Sequence, residues 1–350
     1  MREITHRYED PLDRVWITCA ERIGLRLARV PGAYATTDGR GTLTIAPPGE
    51  LDRDDCLAQM IFHELCHSLV EGPASLGKTD WGLDNETGRD EVREHATLRV
   101  QALLLRPLGL AGILAPTTDF RAYYDALPPD PLAELPGGAT PDPSLPLARI
   151  AAQHSERVPW APHLGHALEA TAALAAVVGA HGGTDDTSLW ARVLPRAPIH
   201  PSTPLPLAAP GSLGASARCE TCAWASRRGA QVRCRIASRP VDADDPACER
   251  FEPALDCGDC GACCREAYHT VLLTPRERFT KLHRDLVVVR DGKPELPRGT
   301  DGRCPVLVGD GATTTPYRCR QHDDRPKTCR DFTVGSQDCL EARRRVGRTR

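Results

Sequence analysis

A chain of 350 residues is longer than one ordinary hydrophobic core organises and suits two domains with room for a small third. Hydrophobic residues are 41% and charged residues 26%, as in globular proteins, and the 5% of aromatic residues disfavours stacking platforms for single-stranded nucleic acid. The formal net charge of -3 excludes a polybasic chain, although the end "RRRVGRTR" is basic and reads as a solvated tail.

A nucleic-acid partner is therefore not expected. No apolar run approaches the roughly 20 residues of a membrane helix, and "MREITHRYED" lacks the apolar core of a secretory signal, so the expected place is the cytoplasm. That compartment keeps thiols reduced, which makes metal binding a better explanation than disulfides for 15 cysteines. Cys19, Cys56 and Cys66 precede residue 70, and every other cysteine lies at or beyond Cys219. Such segregation implies two chemistries on two domains.

In chain order, "LDRVWITCAERIGLRL" at 12–27 has the apolar spacing of an amphipathic helix. "RVPGAYATTDGRGTLTIAPPG" alternates around a DG turn and predicts a short antiparallel hairpin. After the acidic start "LDRDD", "CLAQMIFHELCHSLVEG" predicts a helix stopped by Gly72 and Pro73. Past a polar loop with Trp81, "DEVREHATLRVQALLLRP" predicts another helix, with Glu94, Leu98, Ala102 and Leu105 on one stripe. A shorter helix is expected around "FRAYYDAL", a Pro-rich extended stretch at 128–145, and two more helices in "LARIAAQHSER" and "HLGHALEATAALAAVVGAH". The Pro-rich "LPRAPIHPSTPLPLAAPGSLG" then reads as a linker.

"HELCH" places His63 and His67 four residues apart, on one helix face, where two imidazoles can grip a single zinc ion. Glu64 lies beside them as the general base. A third ligand is required. Glu94 is the first choice because its stripe faces the core, where an unpaired carboxylate is costly. Glu91 and His95 remain alternatives, and "NETGRD" at 85–90 resembles the NExxxD pattern of thermolysin-type gluzincins, which would make Glu86 the ligand. Cys66, between the two histidines, is read as a core thiol with a redox switch as the alternative, and Cys19 and Cys56 as plain core residues. An oxyanion donor is expected among Tyr123, Tyr124, His154 and His163.

Near the other end, "CGDCGACC" supplies Cys257, Cys260, Cys263 and Cys264, and Cys304, Cys319, Cys329 and Cys339 follow downstream. Eight thiolates suit two four-coordinate sites or one polynuclear cluster, and spacing alone does not pair them. His322 reads as structural. Cys219, Cys222, Cys234 and Cys248 form a separate set that opens with CxxC, as in a zinc-ribbon-like knuckle, with an iron–sulfur site as competitor.

Two family resemblances follow from these residues. "HELCHSLVEG" followed by "EHATLRVQALLLRP" resembles the ImmA/IrrE type of metallopeptidase over about 12–107, which implies a zincin-like fold and a glutamate ligand on the second helix; the EAN triplet common there reads "HAT" here. The pattern from "CGDCGACC" through "RPKTCRDF" to Cys339 closely resembles the YkgJ-type CxxCxxCC family of zinc- or iron-chelating proteins.

The expected fold class is α+β: a mainly helical zincin-like domain with a small antiparallel sheet at 1–192, a linker at 193–214, a four-Cys knuckle at 215–254, and a metal-stabilised cysteine-cluster domain at 255–350. The expected function is a zinc-dependent hydrolase, a metallopeptidase acting on a peptide or protein substrate, carrying a cysteine-rich module that binds zinc, iron or an iron–sulfur cluster. The alternative is a non-enzymatic zinc- or iron-chelating or redox-sensing protein.

Overall fold

The first helix, α1 (Pro11–Ile23), begins where Asp10 accepts hydrogen bonds from the backbone N–H groups of Leu12 and Asp13, with Pro11 at the first helical position. It stops three turns later. Gly24 adopts φ 106°, and the N–H of Leu25 returns to the carbonyl of Ala20 at 2.9 Å. The helix predicted through Leu27 is therefore shorter, because the left-handed glycine ends it and releases the following residues as a strand.

That strand, β1 (Arg26–Arg29), joins β2 (Ala35–Thr37) and β3 (Thr42–Ile45) in the order β1-β3-β2. The pair β2–β3 is the antiparallel hairpin expected around Asp38 and Gly39, but β1 runs parallel to β3. The sheet is mixed rather than antiparallel.

The computed structural model describes residues 5, 6, 8–84, 87–138, 141–181, 187–265 and 267–350. The chain divides into two units, Met1–Ile199 with Ala209–Ser212, and His200–Ala208 with Leu213–Arg350. In the first unit, α2 (Leu57–Glu71) is almost wholly buried and packs on α1, α3 (Glu91–Leu105) and α5 (Ser144–His154). The short α4 (Arg121–Asp125) lies against α3, and α6 (His163–His181) against α1. Two buried tryptophans tie these layers through their indole N–H groups. Trp16 donates to Thr171 at 3.0 Å and Trp160 to Ser68 at 2.9 Å.

Helix α3 departs from the predicted single stripe. Beyond its first turn it is buried on every side, including Thr97, Arg99 and Gln101. Arg99, fully buried, donates to Tyr123, Ser144, Asp142 and the carbonyls of Pro131 and Ala133. This fan of donors pins the Pro-rich 128–145 stretch to α3 instead of leaving it simply extended.

The second unit contains β4 (Ala225–Arg228), β5 (Gln231–Cys234) and β6 (Arg239–Val241) as an antiparallel meander, then α7 (Cys257–Cys260). It continues with β7 (Thr270–Leu272), α8 (Arg278–Leu282), β8 (Val288–Arg290), β9 (Lys293–Pro297), β10 (Leu307–Val308), β11 (Arg318–Cys319), α9 (Lys327–Asp331) and α10 (Gln337–Arg345). Its apolar clusters are small and incorporate cysteines. Trp224 packs with Cys339 and Leu340, so the knuckle and the CxxCxxCC segment, read as separate at 254/255, share a core. The basic end is docked rather than solvated: Arg343 donates to Glu252 at 2.7 Å and to Thr349, and Arg350 pairs with Glu249. Half-buried carboxylates nearby explain the difference.

The linker is divided as well. Leu194 and Ala197 donate to the carbonyls of Gly109 and Pro107 in the first unit, and a Cβ at Gly109 (φ 73°) would lie 1.8 Å from the Leu194 carbonyl oxygen. The segment 200–208 belongs to the second unit. The fold class is α+β, and no helix of the described residues is long and apolar enough to cross a membrane. Replacing Arg99 by Ala should lower unfolding stability by about 3–5 kcal/mol in denaturant titration, because its carbonyl and carboxylate partners lose their donor. A change under about 1 kcal/mol would show that solvent replaces those bonds.

Candidate metal centres

Helix α2 carries His63 and His67 one turn apart, and α3 brings Glu94 to them. The two Nε2 atoms are 3.1 Å apart, and the Glu94 carboxylate oxygens lie 3.7 Å from His63 Nε2 and 3.3 Å from His67 Nε2. Ligands about 2.0–2.1 Å from a tetrahedral zinc ion stand roughly 3.3 Å from one another, so the three side chains fit the ion. Glu94 Oε1 is buried and has no hydrogen-bond partner among the described residues. Such an orphaned acceptor is what a cation satisfies.

The opposite faces of the rings are already engaged. Gln101 donates its Nε2 to the Leu114 carbonyl at 2.9 Å, which turns its Oε1 toward His63 Nδ1 at 3.0 Å. The proton of His63 therefore sits on Nδ1, and its Nε2 presents a lone pair. Thr97 Oγ1 lies 3.2 Å from His67 Nδ1 and can accept in the same way. Burial, with His63 adding to it, holds His67 well below its ordinary pKa and keeps the ring neutral, as a ligand requires. Burial also raises the Glu94 carboxyl above its usual range, with His63 partly offsetting it.

Glu64 is half-buried beside this cluster. Trp81 donates its indole N–H to Glu64 Oε2 at 2.8 Å. The loop that delivers it is strained: Asp80 and Trp81 have φ of 47° and 57°, and Asp80 is held by Thr36 and the Thr37 amide of β2. Burial pushes the Glu64 carboxyl above its ordinary value, while His63 and the Trp81 hydrogen bond oppose that. Sequence reasoning passed over Trp81, Thr97 and Gln101. The signal available was a set of polar residues at apolar positions of α3.

The other candidates lie elsewhere. His95 stacks on Tyr123 at 3.7 Å and faces Glu91 at 3.8 Å, so neither joins the cluster. Glu86 lies outside the described residues. Tyr123 is bound to Arg99, Tyr124 donates to the Ala111 carbonyl, and His154 meets the Leu69 carbonyl at 2.7 Å. His163 Nδ1 is buried with no partner among the described residues. Cys66 is fully buried and its thiol is pushed well up, which suits the core reading. Cys19 is likewise buried, whereas Cys56 is half-buried and caps α2 by accepting from the Gln59 N–H at 3.4 Å.

The eight later cysteines form two neighbourhoods. Cys257, Cys260, Cys263 and Cys339 lie around α7 and the start of α10; burial and then Cys260, Cys339 and Cys264 raise the Cys257 thiol, and burial raises Cys339 against the Gly335 amide and Arg343, with Cys260 adding less. Cys264, Cys304, Cys319 and Cys329 line another apolar cluster with Phe279 and Leu296. There the Cys304 amide donates to the Cys264 carbonyl, and Cys329 is pushed up to about 12 by burial and then by Cys264, Cys304 and Cys319. The vicinal pair joins the two sets, with Cys263 and Cys264 sulfurs 3.9 Å apart. Their contact holds the Cys264 thiol below its ordinary range, against the effect of burial and with Arg298 assisting. His322 is exposed and accepts from Arg325.

Because most of these thiols are raised, an incoming ion has to displace protons from them. Metal loading of the second unit should weaken by more than about tenfold per pH unit on acidification, measured by competition with a chelator at two pH values. An affinity independent of pH would mean that the thiols are not the ligands.

Residues 256–344 match one family model, whose description reads "CxxCxxCC: Putative zinc- or iron-chelating domain". All eight of these cysteines fall inside that match. The chain matches no curated protein and no solved structure. The C-terminal part of the chain is thus similar to a zinc- or iron-chelating domain.

Proposed function

We propose that the first unit is a zinc-dependent hydrolase, a metallopeptidase cleaving amide bonds of a peptide or protein, with the cysteine-rich unit as a zinc- or iron-binding module that regulates it. The observation that supports the enzyme is the convergence of His63, His67 and Glu94 with Gln101 and Thr97 behind the rings. Two imidazoles and a carboxylate are the ligand set of open catalytic zinc sites. Bound there, zinc supplies Lewis acidity and makes a water acidic near neutral pH. His63 and His67 direct their Nε2 lone pairs, and Gln101 keeps the His63 proton on the far side. Glu64 takes the proton of the attacking water and returns it to the leaving amine. Trp81 fixes Oε2, leaving Oε1 for that transfer.

The other reading is a chelating or metal-sensing protein in which the HExxH unit carries a regulatory ion, and it is supported by the match over 256–344. The two readings separate on Glu64. Glu64→Gln should retain zinc in the full chain and lower turnover of a diverse peptide pool, read by mass spectrometry, by at least about 100-fold. His63→Ala should lose one zinc equivalent. Peptide products unchanged in both variants would exclude this site as their source. Gln101→Leu should keep the helix yet weaken zinc binding about 10–100-fold, since the His63 proton loses its acceptor.

A further inference from the structure

In the second unit His200 Nε2 lies 3.2 Å from the Cys219 sulfur, and because its Nδ1 accepts the Ser202 N–H at 3.1 Å, the ring proton sits on Nε2 and points at that sulfur. That pair is complete as it stands. A second contact through sulfur, Cys263 with Cys264 at 3.9 Å, is not explained by the two cysteines alone.

Adjacent cysteines that close on each other form a disulfide with sulfurs about 2.05 Å apart, and their thiolates are then lost to a metal. Here both are free thiols, and they pack in different places. Cys263 lies with Cys260, Ala262 and Ala342, whereas Cys264 lies with Cys304, Cys319 and Cys329. The direction each side chain takes depends on the backbone that carries it.

One side chain holds that backbone. Strand β9 pairs with β7 so that Pro297 stands opposite Thr270, and this register brings the next residue, Arg298, alongside the chain that leaves the cysteine motif. Its guanidinium donates from Nη2 to the Cys263 carbonyl at 2.8 Å, from Nη1 to the Cys264 carbonyl at 3.0 Å and from Nε to the Tyr268 carbonyl at 2.9 Å. The Cys264 carbonyl also accepts the Cys304 amide at 2.8 Å. A planar fork serves several acceptors in one fixed geometry, which a flexible ammonium does not. The vicinal pair is thus held by a residue 34 positions from one cysteine and 35 from the other.

We propose that Arg298 is a positioning residue for metal uptake by segment 256–344: by holding the carbonyls of Cys263 and Cys264 it keeps the vicinal thiols open and directed into the two cysteine neighbourhoods. This rests on the chelating reading of that segment and adds to it a residue that binds no metal itself.

The full chain tests this with zinc, and with iron(II) under anaerobic conditions, as probes. Metal content is read by elemental mass spectrometry, release by competition with a chelator, and thiol exposure by alkylation of the loaded protein followed by peptide mapping. Arg298→Met should release the metal about 10–100-fold faster than the parent. It should also expose Cys263 and Cys264 to alkylation while Cys234 and Cys248 react as in the parent. Arg298→Lys should behave like Arg298→Met, because one ammonium does not span three carbonyls, and it carries the test if the methionine variant does not fold. Arg345→Met, which removes a donor to the nearby Ala267 carbonyl and none to the cysteines, should match the parent. Parent-like release and alkylation in both Arg298 variants overturn the inference, as does full recovery with lysine, which would mean that charge alone suffices. Faster alkylation of every cysteine alike in the lysine variant overturns it too, since that marks general loosening of the unit. A parent protein that takes up no ion beyond the equivalent lost in His63→Ala fails the chelating reading itself, and this inference falls with it; a parent that loads while Arg298→Met holds its metal equally well overturns the inference and leaves that reading intact.

Discussion

An imidazole that holds a metal almost always has its other nitrogen engaged, and in this protein a neighbouring helix provides such partners for two histidines. Gln101 and Thr97 on α3 stand behind His63 and His67 on α2, and Glu94 one turn earlier supplies the carboxylate. The whole arrangement depends on the register of α3 against α2. Arg93 on α3 helps hold that register by pairing with Glu71 at the end of α2. Arg99, further along, binds the Pro-rich stretch and closes the far side of α3.

The small sheet acts on the same site from another direction. Its β2 strand holds Asp80, and Asp80 begins the two-residue left-handed kink that points the Trp81 indole at Glu64. Left-handed backbone at two consecutive non-glycine residues is costly and persists only where surrounding bonds over-determine it. Here those bonds are to Thr36 and Thr37, so the strand, the loop and the carboxylate form one mechanical chain.

The second unit solves a different problem. Its apolar clusters are built around Trp224, Phe279 and Leu296 and are small, and cysteines fill the positions where a larger protein would place leucine or valine. Thiols buried side by side repel one another once ionised, which is why burial and mutual proximity raise so many of them. A metal ion held by such thiolates would convert that liability into a cross-link, and a unit with so little core would gain folding energy from the binding.

Local features were legible in the sequence because they depend on neighbours in the chain. The span of α2 and its stop at Gly72, the face shared by His63 and His67, and the CxxC spacings all follow from helical period, glycine conformation and turn geometry. Gly24 was misread within an apolar run, since nothing local distinguishes a helix interior from a left-handed cap followed by a strand. Tertiary structure alone decided the rest. The parallel pairing of β1 with β3, the approach of Glu94 rather than His95 to the two histidines, the proton position on His63, the division of the later thiols and the approach of His200 to Cys219 each join residues distant in sequence. Periodicity carries no information about which distant side chain completes a ligand's hydrogen bond, because packing determines that contact.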